Sequence, residues 1–154
     1  MVKPAILTEV RTLTDSDSGK TYFLNNEAGL TVTLPAPRAG VNFEFILKTT
    51  PTSADYIIGT KGDVAIFKGH VITSNIKSAT DTPFDIDGSK QIRFVWPDAR
   101  VGDSIELISD GTYWYADAFV SSFSAMRIVS PSVSPSTSPS TSPSTSPSVS
   151  PSPS

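Results

Sequence analysis

The sequence predicts an all-β protein: an antiparallel β-sandwich or a jelly-roll-like barrel, followed by a disordered Ser/Pro/Thr-rich C-terminal tail. Three observations lead there. Apolar residues recur with period two in short runs, each bounded by Gly, Pro, Asn or Asp. No segment carries a convincing 3.6-residue period. Ser109-Asp110-Gly111 stands between two such runs, where Asp-Gly supplies the positive-φ positions of a hairpin turn. Many short strands with this turn spacing argue for a sandwich or a barrel.

Residues 6–14 read as an opening strand, and residues 20–24 follow the turn-rich DSDSG. Residues 30–34 (LTVTL) alternate cleanly and stop at Pro35. In residues 42–49, Phe43, Phe45 and Leu47 fall on one face. Residues 56–60, 64–67 and 70–74 are short runs punctuated by Gly59, Gly62 and Gly69. Residues 91–96 put Ile92, Phe94 and Trp96 on one side, and residues 103–108 and 112–116 flank the hairpin turn. Residues 116–126 fit either a short helix or a further strand.

Residues 130–154 form a four-residue repeat of Ser, Pro and Thr with two Val, no charge and no aromatic. Ordering a chain costs roughly 1–2 kcal/mol per residue. This composition offers too little apolar surface to offset that cost. Proline at every fourth position excludes helix and sheet and favours extended conformers. The head, residues 1–129, is the size of one ordinary domain with room for a core.

Charge and composition narrow the function. Twelve Lys and Arg stand against fifteen Asp and Glu, for a net charge of −3. The basic residues are scattered, so neither nucleic acid nor an anionic membrane is an expected partner. The N-terminus turns polar too soon for a secretory signal, and no apolar run is long enough to span a bilayer. With no cysteine, disulfides, thiolate nucleophiles and sulfur-ligated zinc are excluded. No N-x-S/T sequon occurs.

Each candidate motif meets a simpler account. Ser18-Gly19-Lys20-Thr21 resembles the end of a phosphate-binding loop, but Thr14 stands where its first glycine belongs. Asp15/Asp17 and Asp85/Asp87 resemble fragments of calcium loops, yet neither has the Glu needed to complete about six to eight oxygens. They offer at most a weak surface cation site, and turn chemistry accounts for them. His70, the only histidine, has no G-x-S-x-G serine to serve. Asp103, Glu106, Asp110 and Asp117 lie near aromatics, but acidic residues on strands and turns are mostly solvated. No catalytic residue, cofactor or metal is therefore expected. The densest aromatic cluster is Tyr113-Trp114-Tyr115, where a strand turns the two tyrosines to one side and Trp114 to the other. One side is core. The other offers flat surface to a subunit or to a sugar.

The stretches SGKTYFLNNEAGLTVTLPAP (18–37), GVNFEFIL (40–47) and VGDSIELISDGTYWYAD (101–117) resemble the β-rich head-decoration, fibre and tail-associated proteins of tailed phages and large aquatic DNA viruses. In that wording Trp114 closes the domain. The likeness implies a virion structural protein, commonly a homotrimer, made in the host cytoplasm and carried on the capsid exterior. It implies no catalytic residue.

The expected function is non-enzymatic: decorating or cementing a capsid, with the protein itself and the major capsid protein lattice as partners. The alternative is a fibre or tail tip for virus–host attachment that binds a receptor or host surface glycans. Tyr113, Tyr115, Trp96, Ile6 and Val10 are the candidate contact residues. Residues 1–14 are either a docking arm or an ordinary first strand. Physical reasoning leaves dimer and trimer both open.

Overall fold

The computed structural model describes residues 4–73 and 84–130. The repeat at residues 131–154, where a disordered tail is expected, lies outside the described residues. Twelve strands occur among those described: β1 (Ala5–Leu7), β2 (Arg11–Thr12), β3 (Lys20–Leu24), β4 (Leu30–Thr33), β5 (Asn42–Leu47), β6 (Tyr56–Gly59), β7 (Phe67–Thr73), β8 (Phe84–Asp85), β9 (Gln91–Phe94), β10 (Ser104–Ser109), β11 (Trp114–Val120) and β12 (Met126–Val129). The helical turns described are three short 3-10 pieces, none of them long or apolar enough to cross a membrane.

The strands form two sheets. Sheet A has the order β1-β3-β5-β10-β11-β7-β8, and sheet B the order β12-β9-β6-β4-β2. Among the described residues neither sheet closes on itself, so the fold is a two-sheet sandwich rather than a closed barrel. The pairing is also mixed rather than purely antiparallel. Five strand pairs run parallel, namely β1/β3, β3/β5, β2/β4, β4/β6 and β7/β11.

The cause is the path of the chain. From β1 to β6 successive strands alternate between the sheets, so the first half winds as a flattened coil. Parallel neighbours need a long crossover. Here the intervening strand of the opposite sheet supplies it. Paired residues are 17 apart at Ala5 and Tyr22, 23 at Lys20 and Phe43, 21 at Arg11 and Val32, and 26 at Leu30 and Tyr56. After β8 the hairpin β10/β11 and the strands β9 and β12 add antiparallel pairs to both sheets.

The core lies between the sheets. Tyr22, Leu24, Phe43, Phe45, Leu47, Phe67 and Trp114 from sheet A meet Leu30, Val32, Tyr56, Ile58, Ile92 and Phe94 from sheet B. Tyr22 stacks on Phe45 at 5.7 Å between centroids, and Phe43 leans on Trp114 at 5.8 Å. Such ring pairs add about 0.5–1.5 kcal/mol each beyond the area they bury.

Several local expectations change. The opening strand divides into β1 and β2, one in each sheet, because the chain bends at Thr8–Val10. Residues 4–14 thus supply one strand to each sheet, and residues 1–3 lie outside the described residues. Residues 64–67 and 70–74 do not make two strands: residues 61–63 form a 3-10 turn, and β7 runs through Gly69 (Ser74 lies outside the described residues). Gly69 has φ +131°, and a Cβ there would fall 1.9 Å from the Ala116 carbonyl oxygen of β11. That glycine is a close-approach point, not a turn. Residues 116–126 hold the end of β11, a 3-10 turn and the start of β12 instead of a helix. Trp96 leaves the Ile92–Phe94 face because β9 ends at Phe94. In the hairpin only Gly111 takes positive φ, while Asp110 closes the turn with its side chain.

Candidate functional site

The outer face of sheet A is read from its register. One row crosses six strands: Ile6, Phe23, Ile46, Ser104, Phe119 and Ile72 are successive cross-strand neighbours. Strands lie about 4.8 Å apart, so this row is about 24 Å long and broken only by Ser104. Ile6, Phe119 and Ile72 are each at least half exposed. Two residues along the strands, the next row is Thr21, Glu44, Glu106, Asp117, His70 and Asp85. A third row carries Asn42, Ile108, Tyr115 and Lys68.

Glu44, Glu106 and Asp117 thus stand side by side on β5, β10 and β11. The Thr21 hydroxyl donates to Glu44 Oε1 at 2.9 Å. Glu106 and Asp117 make no ion pair among the described residues. No group of three or more acidic, His or Cys side chains among the described residues is arranged to hold a metal ion. Tyr115, 43% exposed, borders a groove of about 410 Å³ together with Asn42, Glu44, Glu106, Ile108 and Asp117.

Asp110 fixes the tyrosines beside it. Its carboxylate accepts the N–H groups of Tyr113 and Thr112 at 2.8 Å, which hold it below the usual range. It also accepts the Tyr115 hydroxyl at 3.1 Å, and this bond raises that hydroxyl's pKa. Lys68 Nζ lies 4.9 Å from the Tyr113 ring centroid, a cation–π contact. Trp114 is fully buried, so the split of the three aromatics follows the alternation of the strand.

The five contact candidates do not converge. Ile6 and Tyr115 lie on the outer face of sheet A, with Tyr113 at the foot of β11. Val10 and Trp96, 69% and 45% exposed, line a different groove of about 480 Å³ with Thr31, Ile57, Asp55 and Arg93 on the sheet B side. There Thr31, Ile57, Arg93 and Arg127 form one cross-strand row. Arg93 donates to Gln91 Oε1 and lies 3.8 Å from Asp55, while Arg127 is exposed.

The remaining motif residues serve the fold. Lys20 of the SGKT stretch binds Asp17 at 2.8 Å and is the first residue of β3, where a phosphate loop would open a helix. Asp17 is held by Arg11, Lys20 and the Thr14 N–H, and Asp15 by Arg38, so the protein's own cations occupy both carboxylates. Burial works to raise the Asp17 carboxyl, but these partners outweigh it and bring it to about 2. Asp87 accepts the Gly69 N–H at 3.0 Å, and Asp85 lies 3.7 Å from the exposed His70. Asp103 is buried and takes N–H groups from Arg100 and Ser121. Burial still pushes its carboxyl up against those bonds. The apolar row and the sheet B arginines were missed because period two assigns a face but not a neighbour.

Comparisons of the chain with protein-family models, with curated proteins and with solved structures returned no match.

Proposed function

We propose that the chain is a non-enzymatic virion structural protein that decorates or cements a capsid surface as a homotrimer, after synthesis in the host cytoplasm. The observation that carries this reading is the outer face of sheet A, where a row of apolar residues broken only by Ser104 crosses six strands beside the carboxylates of Glu44, Glu106 and Asp117. A contiguous apolar surface rimmed by polar residues is the signature of a protein contact. The resemblance of residues 18–117 to β-rich virion proteins supplies the setting, and the major capsid protein lattice is the second partner. Short edge strands such as β2 and β8 are covered by association in such assemblies. The test mixes purified protein with shells lacking it and images them. Threefold-related knobs on the surface support decoration. Shells left bare overturn it.

A second reading rests on Tyr115. Its ring borders a groove with Asn42, Glu106 and Asp117, a flat apolar surface beside hydrogen-bonding groups that suit a sugar. In this reading the protein is a receptor- or glycan-binding fibre or tail tip. A glycan array compares the protein with Tyr115→Ala and Tyr113→Ala. Binding that both variants retain removes this reading, as does no binding at all.

A further inference from the structure

We propose that copies of this chain contact one another head to tail, the acidic outer face of sheet A docking on the Arg93–Arg127 face of sheet B of the next copy. The inference rests on the self-association in the reading above and adds a contact between copies beyond the trimer.

The argument starts from charge. Glu106 stands between Glu44 and Asp117 in register, an arrangement that is unfavourable within one sheet. Neither Glu106 nor Asp117 has an ion-pair partner among the described residues, so both carboxylates are free to meet a cation from outside. The same chain offers the complement. Arg93 and Arg127 are cross-strand neighbours on β9 and β12, pointing out of sheet B; Arg127 is exposed, while Arg93 is half-buried and already lies 3.8 Å from Asp55. Both rows repeat at the strand spacing of about 4.8 Å, so two guanidinium groups can match two adjacent carboxylates.

Apolar surface accompanies each row. Ile108 and Tyr115 flank the carboxylates, and Ile57 continues the arginine row with Trp96 beside it. A contact of sheet A with sheet A through these rows would bring carboxylates together. A contact of sheet A with sheet B pairs opposite charges. It is heterologous, and because the two faces lie on opposite sides of the sandwich it propagates as an open stack of copies. It also explains why the exposed aromatics Tyr115 and Trp96 sit on different faces.

The absence of cysteine makes the contact directly testable in the full chain. Ile108→Cys marks sheet A and Ile57→Cys marks sheet B. Under mild oxidation the mixture yields linked pairs, whereas neither protein links to itself. In sedimentation, Glu106→Arg and Arg127→Glu each weaken self-association by about tenfold or more, the scale of a lost interfacial charge pair. Mixing the two variants restores association, since each then presents the charge the other lacks, and this recovery also shows both to be folded. Self-linked Ile108→Cys, a monomeric wild type, or association indifferent to both reversals overturns the inference. A trimer that ignores these reversals leaves capsid decoration standing. An associating protein that leaves shells bare does the reverse.

Discussion

Replacing Asp17 by Asn isolates one carboxylate on which the first turn of the coil depends. Asp17 ends the 3-10 turn Asp15–Asp17 between β2 of sheet B and β3 of sheet A. Its side chain, 9% exposed, accepts from Lys20 Nζ at 2.8 Å, Thr14 N at 3.0 Å and Arg11 Nη2 at 3.3 Å. Its pKa falls from 3.8 to about 2. At 1.36 kcal/mol per unit, the ionised form contributes about 2 kcal/mol to folding. The sign follows from the depressed value. The contribution is complete above the unfolded pKa near 4 and is lost as pH falls through the folded value near 2. Urea denaturation of wild type and Asp17→Asn at pH 6, 4, 3 and 2 measures it, because the other carboxylates cancel in the difference. The gap starts at about 2 kcal/mol at pH 6, narrows below pH 4 and nearly closes by pH 2. A gap that stays constant across this range would falsify the ionic account and reduce Asp17 to a packing residue.

Three further substitutions test the packing and the surface. Gly69→Ala drives a Cβ into the Ala116 carbonyl at a φ of +131°, and urea melts are expected to show a loss of about 3 kcal/mol. Trp114→Ala empties the centre of sheet A and is expected to cost about 3–5 kcal/mol in the same assay. Trp114→Phe keeps a ring against Phe43 and removes an indole N–H that has no hydrogen-bond partner, so its loss is less than half as large. Glu106→Gln relieves two like-charge neighbours. At concentrations where the chain is dissociated, its melting curve shows a gain of a few tenths of a kcal/mol.

Strands that alternate and end at a turn residue were legible in the sequence. Residues 30–34 and 42–49 contain β4 and β5, with Phe43, Phe45 and Leu47 buried as their spacing requires. The hairpin of β10 and β11 is where Asp110-Gly111 puts it. What alternation does not encode is which sheet a strand joins. β3 and β4 read alike, yet five residues between them carry the chain across the sandwich. The coil was hidden for the same reason: its pairing offsets drift from 17 to 26, so no fixed repeat marks it. Gly69 read as a turn because a glycine that admits a neighbouring backbone looks the same in sequence as one that turns the chain. Of the candidate site, alternation separated Tyr113 and Tyr115 from Trp114, whereas the exposure of Trp96, which alternation put with Ile92 and Phe94, and the division of the candidates between two faces required the structure.

The acidic row separates what the fold requires from what it merely carries. Asp17, Asp103 and Asp110 each accept hydrogen bonds from the backbone, so local structure accounts for a carboxylate at all three. Asp15 and Asp63 each hold one of the chain's own cations. Glu106 and Asp117 do neither among the described residues, and they lie opposite one another on adjacent strands. Threonine or asparagine, both present elsewhere on the same face at Thr21 and Asn42, would fit those positions without repulsion. A charge that neighbouring strands disfavour and local geometry does not use is free to act on something outside the domain, and Arg127 on the chain's own opposite face is the complement the proposed contact uses.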